Sequence, residues 1–109
     1  MFAGKVHALL ARRWGTRVKG RDWYDPVFFV SRDIPLDLHH LQARLRASGH
    51  WSGGILKITD VIGLIDDAVD TLDVDAACDE VSRFLVDRRS VDVWSKQFFR
   101  DITRRVRPV

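Results

Sequence analysis

Apolar residues recur at spacings of three and four along nearly the whole chain, the period of helices that bury one face. Phe2, Val6, Leu9, Leu10 and Trp14 predict a first helix over residues 2–13, with Gly15 as its C-cap. Residues 15–21 (GTRVKGR) read as a basic loop with two glycines. A second helix is expected over 22–32, capped by Asp22 and burying Trp23, Val27, Phe28 and Val30. Pro26 is placed in its first turn, where a missing N–H costs least, and Pro35 closes the turn that follows. Leu38, Leu41 and Leu45 line one face of a third helix over 36–48, stopped by Gly49. Ser52-Gly53-Gly54 is the clearest loop signal. Ile58, Val61, Ile62, Ile65 and Val69 mark a fourth helix between Ile55 and Thr71. Ala77, Val81, Phe84 and Leu85 mark a fifth over 75–86, and Val91, Trp94, Phe98, Phe99, Ile102 and Val106 a sixth over 91–106. No segment alternates with the period of a strand. The pattern predicts an all-α fold: one domain over 1–109, a compact bundle of five to six helices with short loops.

Composition narrows the setting. A chain of 109 residues, 46% hydrophobic and 30% charged, can build one globular core. Its longest apolar runs, such as Val27 to Val30, are too short to cross a bilayer, and its first residues lack the features of a secretory signal. The single cysteine, Cys78, cannot form an internal disulfide and reads as a small buried hydrophobe. A cytoplasmic, membrane-free location is the expectation.

The net charge of +3 is unevenly spread. Residues 1–32 carry seven Lys/Arg against Asp22 and Asp25, whereas residues 33–70 are net acidic and 71–109 nearly balanced. A basic N-terminal third suits either a phosphate-bearing partner or a solvated surface.

Two motifs lie in that third. Lys5 and Arg12 are seven apart, so they project from one helix face about 10 Å apart along the axis, while Leu9 and Leu10 turn to the other side. Arg17-Val-Lys19-Gly-Arg21-Asp22-Trp-Tyr-Asp25 places a basic, glycine-bearing loop at a helix N-terminus, a favourable place for an anion. Asp22 has three open roles: helix cap, partner of Arg21, or orienter of a cationic ligand. Asp25, one turn on, reads as a support that bonds backbone or holds Arg12 or Arg13.

Lys5 to Arg12, then Val18-Lys19-Gly20-Arg21-Asp22-Trp23-Tyr24-Asp25 and Phe28-Phe29-Val30-Ser31-Arg32, resemble the AbiEii/AbiGii-type nucleotidyltransferase toxins. The likeness continues through His40-Leu41-Gln42-Ala43-Arg44-Leu45, Ser48-Gly49-His50-Trp51, Asp79-Glu80-Val81, Phe84-Leu85, Trp94-Ser95 and Phe98-Phe99. The resemblance implies that Lys5 with Arg12 is the family's third motif and Arg21-Asp22 its fourth. It thus implies catalytic roles for Lys5, Arg12, Arg21 and Asp22, and phosphate or nucleotide binding by Lys5, Arg12, Lys19 and Arg21. The family's Gly-Ser turn and acidic strand pair, which hold Mg²⁺ in a polymerase-β-like half, are missing from residues 1–109. The expectation is therefore a truncated or split toxin subunit without its metal-binding N-terminal half, inactive alone. Mg²⁺ and a nucleoside triphosphate are expected only for a complete enzyme, with tRNA or another nucleic acid as acceptor and an antitoxin as partner in phage defence or stress.

The remaining candidates read as structural. Asp73-Val-Asp75 imitates an acidic pair but sits at a helix start. His7, His39, His40 and His50 share no metal-ligand spacing, so no metal is assigned. Arg104, Arg105 and Arg107 form a basic tail that would either touch RNA or favour a helix C-terminus. A second functional class is a helical interaction module or homodimer, with Phe2, Trp14 and Trp51 as its exposed apolar anchors.

Overall fold

The computed structural model describes residues 1–15, 20–85 and 87–109. Among them the helices are α1 (Phe2–Gly15), α2 (Gly20–Ser31), α3 (Leu38–Ala47), α4 (Ile58–Asp70), α5 (Val74–Ser82) and α6 (Lys96–Arg104), with a 3₁₀ turn at Arg88–Val91. The all-α expectation holds. A radius of gyration of 13.4 Å fits one compact body of this length, for which about 13 Å is usual.

Helix α1 is the hub, packed on α2, α3 and α4, while α2 also meets α5 and α6 and α4 meets α6. Phe2, Ala3, Val6, Leu9 and Leu10 of α1 are buried, a stripe at the helical period. Leu9 and Leu10 share one continuous core with Leu41 and Leu45 of α3 and Val61 and Val69 of α4. The aromatic end of that core is built on Phe99, with Trp23 4.7 Å and Trp94 5.0 Å away between ring centroids.

Helix boundaries shift where local hydrogen bonds outrank periodicity. Asp37, Asp73 and Ser95 are N-caps, their side chains accepting from the amides of His40, Ala76 and Phe98. Asp73 therefore has the structural role read for it. The expected 91–106 helix is divided: Asp87 starts the 3₁₀ turn, and Ser95 restarts the chain as α6. Helix α4 begins at Ile58 rather than Ile55, which is exposed, while the Leu56 amide donates to Gln42 Oε1.

Helix α2 departs most from its reading. It starts at Gly20, so Asp22 lies in the first turn instead of capping, and Pro26 lies mid-helix instead of in the first turn. A proline there removes the bond to the carbonyl four residues back, at Asp22. Phe28, expected inside, is 44% exposed, with the Arg32 guanidinium 5.1 Å from its ring centroid. Beyond the helix end at Ser31, Asp33 in the turn takes a positive φ of 55°. The Asp33 carbonyl accepts from Arg107. Leu36 and Pro108 form a bridge, and Arg104 pairs with Asp66. The basic tail is thus docked at two of its three arginines.

Candidate functional site

Lys5, Ala8 and Arg12 lie at spacings of three and four on the face of α1 opposite its buried stripe. They form one wall of an open cavity of about 360 Å³. Gly20, Arg21, Asp22 and Asp25 of α2 form a second wall, and Glu80 of α5 with Phe84 just beyond it the third. The volume falls in the range of small-molecule sites. Lys5, Arg12, Arg21, Asp22 and Asp25 are therefore all brought together. Lys19 and the rest of residues 16–19 lie outside the described residues.

The carboxylates hold partners other than those favoured from sequence. Asp25 pairs with Lys5 at 3.1 Å, and Asp22 pairs with Arg12 at 3.4 Å. Asp22 is 10% exposed, whereas Lys5 and Arg12 are 43–44% exposed. Both cations are thus half in water, and such pairs are worth about 0–1 kcal/mol each. Exchanging a carboxylate for a phosphate would trade one charge-assisted pairing for another. The Arg21 guanidinium lies 5.7 Å from the Phe84 ring centroid.

Gly20 explains how the walls meet. An added Cβ there would lie 2.1 Å from the Ala77 carbonyl oxygen and 3.2 Å from Val81 Cβ. Only glycine lets the start of α2 press against α5 so closely. This glycine therefore serves packing, where the sequence read it as part of a basic loop favourable for an anion. The pressed contact also brings the positive end of the α2 dipole to the cavity.

Two cavity residues were missed or misplaced from sequence. Glu80 stood only within the family likeness. Phe84 was expected in the core but is 70% exposed, because α5 ends at Ser82 rather than running to 86. The helical period, extrapolated past the true helix end, assigned it the wrong side. Of the apolar anchors of the interaction-module reading, Phe2 is not exposed but buried, stacking on Phe29 at 5.2 Å; Trp51 is half-buried with its Nε1 donating to the Gly54 carbonyl, and Trp14 is 37% exposed while stacking on His50 at 4.7 Å.

Beyond the cavity, Ser48 Oγ lies 3.1 Å from His7 Nε2 and 2.7 Å from His50 Nδ1, joining α1 to the end of α3. Burial first, then the charge of Arg44 and of His50, holds the His7 imidazole below its ordinary value. Burial, then Asp75, Asp79 and Asp92, pushes the Cys78 thiol up, away from a reactive thiolate.

Mg²⁺ requires a cluster of oxygen ligands. Among the described residues no group of three or more His, Cys, Asp or Glu is placed to hold a metal. Asp22 and Asp25 line the cavity but face Arg12 and Lys5. The described side chains therefore do not fit a Mg²⁺ site.

Fold and site define a helical domain with a mixed-charge cleft at a helix N-terminus, suited to an anionic ligand. Residues 1–104 match the family model described as "Nucleotidyl transferase AbiEii toxin, Type IV TA system". The chain belongs to that family of toxin–antitoxin nucleotidyltransferases. No curated protein and no solved structure matches the chain. No described helix is long and apolar enough to cross a membrane.

Proposed function

We propose that the cleft between α1, α2 and the end of α5 binds the phosphate groups of a nucleoside triphosphate for a nucleotidyltransferase toxin. The observation that carries this reading is the convergence of Lys5, Arg12 and Arg21 on one cavity beside the α2 N-terminus. Asp22 and Asp25 hold Arg12 and Lys5 extended along the cleft until a ligand takes over the pairing. Arg21 supplies a third cation, set against the aromatic ring of Phe84 at the cleft mouth.

In this reading the chain contributes the phosphate side of the reaction and does not transfer a nucleotidyl group alone. The sequence supports that division, since it contains no Gly-Ser turn followed by an acidic pair. Family membership supports an antitoxin as the counterpart, and tRNA or another nucleic acid is the acceptor we propose. A cytoplasmic role in phage defence or stress belongs to the same reading.

The test is titration of the chain with nucleoside triphosphates at low and moderate salt, followed by amide chemical shifts or calorimetry. Saturable binding that perturbs Lys5, Arg12 and Arg21 and weakens with salt is expected. Binding that leaves those three residues unmoved, or no binding at low salt, would overturn the assignment.

A further inference from the structure

We infer that Phe84 is the platform on which the base of the ligand stacks, so the cleft selects a nucleotide over a bare polyphosphate. This rests on the phosphate-binding reading above and extends it from the phosphates to the residue that holds the base.

Phe84 is a large aromatic side chain, 70% exposed, at the edge of a cleft otherwise lined by charged residues, Ala8 and Gly20. Its position is set by the backbone. The Phe84 amide donates to the Val81 carbonyl at 3.0 Å, and the Leu85 amide to the Ser82 carbonyl at 3.3 Å. Val81 on one side is buried, and Leu85 on the other packs against the core. The turn between these two anchors holds the ring outside the core. Arg21 sits over the ring at a cation–π distance, so an aromatic face and a planar guanidinium occupy one spot. Both are surfaces on which nucleobases stack.

The cleft also has a direction. Lys5 meets Asp25 and Arg12 meets Asp22, so α1 and α2 run antiparallel along it. Arg21 and Phe84 lie at the Arg12 end, and Lys5 lies about 10 Å further along the α1 axis. A ligand with a flat, π-bearing end and an anionic tail fits lengthwise: base on Phe84, phosphates running past Arg12 toward Lys5. A bare polyphosphate would use the cations and leave the aromatic wet.

The experiment compares the four ribonucleoside triphosphates with inorganic tripolyphosphate, on the wild-type chain and on Phe84→Ala and Phe84→Trp. Circular dichroism checks that each variant folds. Wild type should bind at least one triphosphate nucleotide about tenfold more tightly than tripolyphosphate, the scale of one base–aromatic stack. Phe84→Ala should erase that preference while leaving tripolyphosphate binding unchanged, and Phe84→Trp should keep it. Equal wild-type affinity for nucleotide and tripolyphosphate would overturn this inference and leave the phosphate reading standing, as would a Phe84→Ala chain that keeps the preference. Failure of both ligands to bind would overturn the phosphate reading and this inference together.

Discussion

Two regions of the molecule gather cations against carboxylates, and they use them oppositely. At the cleft, Lys5, Arg12 and Arg21 surround an open cavity at the beginning of α2. At the far end of α4, Arg13, Lys96, Arg100 and Arg104 close on the helix end itself. Lys96 Nζ donates to the Asp70 carbonyl at 2.8 Å, Arg13 donates to the Asp67 carbonyl, and Arg100 and Arg104 pair with Asp70 and Asp66. Helix polarity separates the two. The C-terminus of α4 presents unpaired carbonyls and negative potential, so its cations are consumed in satisfying the chain's own groups. The N-terminus of α2 presents amides and positive potential, so cations added there strengthen a field that calls for an outside anion. Residue type alone does not distinguish these jobs.

The sharpest way to break the cleft side is at its floor. Gly20→Val would drive a side chain into the Ala77 carbonyl, and a loss of about 3 kcal/mol is expected, a fall of roughly 10–15 °C in melting temperature. Gly20→Ala should be milder, because alanine's better helix propensity offsets part of the clash. A Gly20→Val chain that melts like wild type would show that α2 and α5 are not pressed together.

Next in size is the effect that separates binding from stability. Arg21→Ala should weaken nucleotide binding by about 1–3 kcal/mol, the scale of a charge-assisted contact, with little change in melting. The complementary change, Lys96→Ala with Arg100→Ala, should cost about 1 kcal/mol of stability and leave binding intact. The figure is small because Asp70 is 61% exposed. Calorimetry on both variants checks the pair. If Arg21→Ala melted early and bound normally, the two regions would have exchanged roles.

The smallest effect is pH-dependent and lies off both regions. The folded His7 imidazole sits below its unfolded value near 6.5. Its unfolded state therefore takes up a proton first. Stability should be full above about pH 6.5 and decline as pH falls from there through the folded value. His7→Gln should flatten that decline in a denaturation series from pH 7.5 to 5. A wild-type slope unchanged by the substitution would remove His7 as its source.

Much of the fold was legible because helical periodicity is a local property. Leu38, Leu41, Leu45, Val61, Ile65, Val69 and Phe99 took the positions their spacing assigned. Boundaries were less legible, because a single side-chain cap outweighs the period: Ser95 splits one expected helix, and the end of α5 at Ser82 turns Phe84 outward. The site was legible as a set of cations, Lys5, Arg12 and Arg21, but its pairing was not. Asp22 was weighed against Arg21 next to it, yet it meets Arg12 across the α1–α2 interface. Neighbours in sequence point to different sides of a helix, whereas antiparallel packing brings residues ten apart face to face.

Spacing and composition alone were enough for an all-helical fold, most of its core and a basic N-terminal third, since each follows from local geometry and the cost of wetting apolar surface. Where the cations open onto a cleft, and where they are spent on a helix end, was settled only by packing. Helix ends acquire a function from what lies opposite them, and the approach of α2 to α5 through Gly20 is a fact of three dimensions.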